Sequence, residues 1–142
     1  MTVGPDFKGL GGISSVLAAY RRTMPDFTLV TSNSRHGTAA GAFTLAWLLM
    51  RLPFYRMAGY SILHAHVATG KSYIRKRLIM RIAQKLGFKT IYHCHAGGFP
   101  AYVEKAGREG IVRFLNTCSA IAVLSEGWKK YFTENLGCSN VY

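Results

Sequence analysis

The sequence predicts an α/β domain: an open parallel β-sheet with helices on both faces. Two observations carry that expectation. Short apolar runs of strand length alternate with longer stretches of helical period along all 142 residues, the pattern that builds parallel sheets. The runs are separated by glycine-rich or polar turns, at 4–12, 32–37 and 97–100. An apolar content of 49% with 13% aromatics supplies a core and excludes a disordered chain.

Each element follows in order. Residues 1–3 read as the end of a first strand, before the glycine-rich turn. Residues 13–22 bring Ile13, Val16, Leu17 and Tyr20 onto one helical face. A second strand at 27–31 follows the Pro25-Asp26 turn. A helix is expected over 38–52, with Pro53 kinking or ending it. Strand three covers 60–66, and helix three runs over 71–86 until Gly87 stops it. Strand four is 88–95, one helix follows over 101–115, strand five is 119–124, and a last helix covers 126–136. Residues 139–142 read as a sixth strand just starting. With a first strand nearly absent and a sixth cut off, the chain reads as one domain, 1–142, of a larger protein. The expected strand order is 2-1-3-4-5, which makes strands three and four neighbours and puts the first glycine turn at the switch point.

Charge narrows the partners. The net charge is +12, and no acidic residue occurs from Phe27 to Val103, where Arg35, Arg51, Arg56, Lys71, Arg75, Lys76, Arg77, Arg81, Lys85 and Lys89 all fall. An acid-free stretch of this length favours phosphates, nucleic acid or anionic lipid, although most of these side chains suit a solvated helix face. The longest apolar stretch, 39–50, is well short of the roughly 20 residues that span a bilayer. It reads as a buried helix whose tail, Arg51, Phe54, Tyr55 and Arg56, could rest on a membrane surface. Cys94, Cys118 and Cys138 lack metal-ligand spacing and read as reduced thiols. No basic and apolar leader pattern opens the chain.

Four of the five histidines form two pairs, His64-Ala65-His66 and His93-Cys94-His95, each ending a strand. Alternation puts both members of a pair on one side of the sheet, at the carboxyl ends where open sheets bind ligands. Three assignments stand: a four-histidine metal site, a polar rim for sugar hydroxyls or phosphate, and satisfied strand-end histidines. A mixture of the last two is expected, with His66 and His95 outermost, because no acid is near to orient imidazoles on a metal.

Three further motifs bear on a site. Gly9-Leu10-Gly11-Gly12-Ile13 joins a strand end to a helix start, where backbone N–H groups can meet a phosphate, or where the chain simply turns. Residues 65–72, Ala-His-Val-Ala-Thr-Gly-Lys-Ser, fit a relaxed Walker A pattern. It follows the third strand rather than the first, and no later strand ends in a magnesium-holding Asp. Ser72 and its helix N-terminus can hold an anion regardless, with Arg75 and Lys76 one turn on. Ser125 closes strand five and reads as a helix N-cap within reach of the cleft. A serine nucleophile is not expected without a Gly-x-Ser-x-Gly elbow.

Taken in order, Gly11-Gly12-Ile13, Ile62-Leu63-His64-Ala65-His66, Ser72 with Arg75-Lys76, His93-Cys94-His95-Ala96-Gly97-Gly98-Phe99 and Ala122-Val123-Leu124-Ser125 resemble the N-terminal domain of family 4 glycosyltransferases of the GT-B fold. The nearest branch makes exopolysaccharides and cell-surface glycans. The resemblance implies a Rossmann-like half-enzyme that binds the acceptor and transfers a sugar from a nucleotide-sugar donor to a glycan or lipid-linked acceptor. It implies that Gly11 and Gly12 face the donor diphosphate and that His95 reaches the donor sugar as the candidate catalytic residue. His66, Ser72, Arg75, Lys76, His93 and Ser125 are expected to line the phosphate and substrate side. No metal and no cofactor beyond the nucleotide-sugar are implied, and no nucleic acid. The resemblance further implies a cytoplasmic protein with peripheral contact to an anionic inner membrane face. Without the C-terminal donor half, the isolated chain is expected to show little or no transfer. A non-catalytic basic module for lipid or nucleic acid is the alternative, and a P-loop nucleotide binder is a third.

Overall fold

In the computed structural model of the protein, residues 1–5, 12–24, 27–32 and 37–142 are described, residues 37 and 38 by backbone alone. Five strands form one sheet: β1 Thr2–Gly4, β2 Leu29–Thr31, β3 Ile62–Val67, β4 Lys89–Cys94 and β5 Ala120–Ala122. Their order is β2-β1-β3-β4-β5 and every pairing is parallel, as expected from sequence. The connections are helices α1 Gly12–Thr23, α2 Gly37–Met57, α3 Lys71–Lys85, α4 Phe99–Ala106 and α5 Arg108–Leu115, with α6 Glu126–Lys130 after β5.

The two faces of the sheet differ in chemistry because side chains alternate along β3 and β4. Leu63, Ala65 and Val67 on β3 and Thr90, Tyr92 and Cys94 on β4 are buried on one face. There α3 packs, with Tyr73 edge-on to Tyr92 at 6.4 Å. The other face carries His64 and His66 on β3, then His93 on β4 and His95 just beyond it. Helix α1 covers this face: a Cβ on Gly4 would lie 2.5 Å from Leu17 Cδ1, so glycine at β1 sets how closely α1 approaches.

Several elements depart from expectation, each for a local reason. The single helix expected over 101–115 is two, α4 and α5, broken at Gly107, whose φ of 92° no helix accommodates. The last helix is α-helical only to Lys130 and continues as a π-helical turn, Tyr131–Asn135. The sixth strand is reduced to one bridge, Ile121 to Val141. Helix α2 does not stop at Pro53 but runs on to Met57. Proline removes one donor, and the ladder resumes with Ala58 N–H donating to Phe54 at 2.9 Å.

The apolar stretch within α2 is only partly buried, contrary to expectation. Leu48 and Leu52 enter the core, whereas Phe43, Trp47, Met50, Phe54 and Met57 are exposed. A helix apolar all round can satisfy only the face that has a partner. Among the described residues, no helix is long and apolar enough to cross a membrane.

Candidate functional site: four imidazoles on two neighbouring strands

Parallel pairing of β3 with β4 sets His66 directly opposite His93. The ladder continues one step further, with His95 N–H donating to Val67 O at 2.9 Å. Registry and alternation together bring all four rings into one array. His64 Nε2 and His93 Nδ1 are hydrogen-bonded at 3.1 Å, with the rings stacked at an interplanar angle of 5°. His66 Nδ1 and His95 Nε2 are hydrogen-bonded at 2.8 Å. The phenol ring of Tyr20, from α1, lies against His66 and His64 with centroids 5.8 and 6.4 Å away.

Burial decides the protonation state. Desolvation, then repulsion among the rings, lowers His66 to about 2 and His93 to about 3. The same causes lower His64 to about 4, and burial lowers His95. All four are therefore neutral at physiological pH, each ring with one N–H and one lone pair. Among the described residues, His66 Nε2 is buried without a hydrogen-bond partner. Of the two tautomers of His66, donation from Nδ1–H to His95 leaves a bare lone pair at Nε2. The other strands an N–H donor there, which folded proteins rarely do.

His66 is fully buried, so it is not outermost as expected; His95 and His64 are the half-buried members of the array. The reason is that β3 extends through Val67, one residue past His66, and Tyr20 closes over it.

Lys76 also differs from expectation. Rather than lying on an open basic face, it is buried beneath α3 and only 2% exposed. Tyr73, Lys76, Met80 and Ala83 share the inward stripe of α3 at helical spacing. Burial first, then the Arg75 guanidinium, pull Lys76 down to about 7, and its charge in turn depresses His66. Neither ion pair found among the described residues involves it. Arg75 is half-buried, with its Nε lacking a partner.

The remaining candidates are peripheral to the array. Gly11 lies outside the described residues. Gly12 begins α1, and a Cβ there would meet nothing within 4 Å among the described residues. Ser72 accepts a hydrogen bond from Ala68 N–H at 3.4 Å, tying the loop between β3 and α3. Ser125 caps α6, accepting from Trp128 N–H at 3.4 Å. The cap expected from sequence is therefore present. Two features escaped sequence reasoning, the cover of Tyr20 and the burial of Lys76. The spacing of Lys76 between Tyr73 and Met80 carried the second signal.

No protein-family profile, curated protein or solved structure matches this chain. The fold and the site define a class: a Rossmann-like α/β domain with a neutral imidazole array at the ends of its central strands.

Proposed function

We propose that this domain is the acceptor-side half of a GT-B glycosyltransferase of the family 4 type, joining with a donor-binding half to move a sugar from a nucleotide-sugar to a glycan or lipid-linked acceptor. The observation that carries it is His95. It sits one step beyond β4, at the carboxyl edge of a sheet ordered 2-1-3-4-5. It is half-buried, neutral and fixed by His66.

A neutral imidazole so held, its Nε2 accepting from His66, presents its remaining N–H as a hydrogen-bond donor to a sugar hydroxyl without bringing a net charge into the cleft. The starts of α1 at Gly12 and of α3 beside Ser72 are dipole ends suited to a departing diphosphate. Arg75, half-buried on α3, adds positive potential without an ion-pair partner among the described residues.

The apolar stripe of α2 supports a peripheral position on an anionic membrane. Phe43, Trp47, Met50, Phe54 and Met57 recur every three or four residues and are all exposed. Arg51 and Arg56 flank them on a helix without an acidic residue. Such a helix lies in the interface with its apolar face down and its cations at the headgroups.

The test uses the complete protein to which this chain belongs. Incubated with nucleotide-activated hexoses and a lipid-linked glycan extract, it should release nucleoside diphosphate only when acceptor is present. His95→Ala should lower kcat by about 100-fold or more. Absence of acceptor-dependent release across UDP-, GDP- and ADP-linked sugars overturns the proposal. Steeply salt-dependent binding of nucleic acid instead would favour the basic module.

A further inference from the structure

We propose that His64, His66 and His93 form a binding site for a borderline transition-metal dication of the zinc or nickel class, with His95 or water completing the coordination. It goes beyond the transferase function, which requires no metal.

Geometry is the main support. One ring nitrogen from each of His64, His66 and His93 lies within 4.8 Å of the others. Tetrahedral coordination with metal–nitrogen bonds of about 2.0–2.1 Å needs ligand nitrogens roughly 3.3 Å apart. The 3.1 Å separation of His64 Nε2 and His93 Nδ1 already meets that spacing. Side-chain rotations bring in the third nitrogen, because all three residues project from adjacent, registered strands. The hydrogen-bonded His66–His95 pair places a fourth imidazole beside the three.

The chemistry agrees with the geometry. Metal ligation uses the lone pair of a ring nitrogen. His66 Nε2 is a buried nitrogen with no partner among the described residues, which a cation at that lone pair would satisfy. Imidazole without thiolate or carboxylate selects zinc, nickel or copper over magnesium or calcium. In the His64–His93 pair, one nitrogen carries the shared proton. A tautomer change moves it to the outer nitrogen of the same ring, so ligation needs no net proton loss.

Two positive groups act on the array through space, Lys76 on His66 and the Met1 amino group on His64, and both oppose a dication.

The test titrates the untagged, chelator-treated 142-residue chain with Zn2+ by calorimetry and with Co2+ by absorption. The expected result is one ion per chain, an intense tetrahedral Co2+ band, and no competition from excess Mg2+. His64→Ala, His66→Ala and His93→Ala should each weaken binding by about 100-fold, while Cys118→Ser leaves it unchanged. Should an alanine variant unfold, the wild-type imidazole 15N resonances decide. Shifts of His64, His66 and His93 saturating at one equivalent support the site. Absence of stoichiometric binding, or binding that persists in folded His66→Gln/His93→Gln protein, overturns it. Neither outcome depends on transferase activity.

Discussion

His66 Nδ1 and His95 Nε2 are joined by a 2.8 Å hydrogen bond between neighbouring strands, one ring fully buried and the other half-exposed. The buried ring fixes the tautomer and orientation of the accessible one. This is the arrangement by which a remote group tunes an imidazole at work in a cleft.

If that bond positions His95 for the proposed sugar transfer, His66→Phe should lower kcat of that reaction by about ten- to a hundredfold and leave KM for the donor nearly unchanged. His66→Asn, whose amide can still bond His95, should recover part of the loss. A matching fall for both variants would assign His66 to packing alone.

Acid should destabilise the domain earlier than its few carboxylates would. The folded pKa values of His66 and His93, about 2 and about 3, lie below the ordinary value of 6.5. Between those limits the unfolded chain binds protons that the folded chain refuses. Stability is thus complete above about pH 6.5 and falls as pH drops through it. Each of the two buried rings removes about 1.4 kcal/mol per pH unit. Urea melts at pH 7.5, 6 and 5 measure the slope, which His93→Gln should reduce.

Lys76→Met should raise stability. The lysine is held near pKa 7 by burial, so at neutral pH the fold bears the cost of a desolvated charge without an acidic partner among the described residues. Methionine fills the same volume, and the gain should be on the order of 3 kcal/mol. Thermal denaturation reads the gain. A lower melting temperature would mean that Lys76 has an anionic partner.

Gly4→Ala should cost about 1–3 kcal/mol, because the new Cβ lies 2.5 Å from Leu17 Cδ1 and forces that buried side chain to repack. Gly12→Ala, whose Cβ would meet nothing within 4 Å among the described residues, should cost far less. Chemical denaturation of the two variants makes the comparison.

Vesicles of phosphatidylglycerol should bind the chain and shift Trp47 fluorescence to the blue; phosphatidylcholine vesicles should do neither. Phe43→Ser/Phe54→Ser should abolish sedimentation with vesicles. Concentration-dependent dimerisation lost in the same variant would instead make the stripe a contact between two copies.

Strand and helix periods made much of the fold legible: the parallel sheet and the two histidine pairs each on one face. Those features are local, since side-chain direction along a strand follows from its two-residue repeat. Helix ends were legible where a residue forces the backbone, as at Gly87 with φ 81° and at the Ser125 cap. Gly107 acts by the same means, yet its break in the helix was hidden by apolar spacing that continues across it.

Depth and neighbours were not legible, because they depend on which distant segments meet. Sequence placed His66 and His93 at strand ends, but only registry between β3 and β4 set them opposite each other, and only α1 brought Tyr20 over the first. The same holds for Lys76, whose charge suggested an open surface while its position on the inner stripe of α3 buried it. It holds in reverse for α2, where uniform apolarity suggested burial and packing left Phe43, Trp47 and Phe54 outside. The sequence by itself determined the sheet and the faces of its side chains. Tertiary packing decided which of those side chains lie beyond the reach of water, and therefore which are neutral.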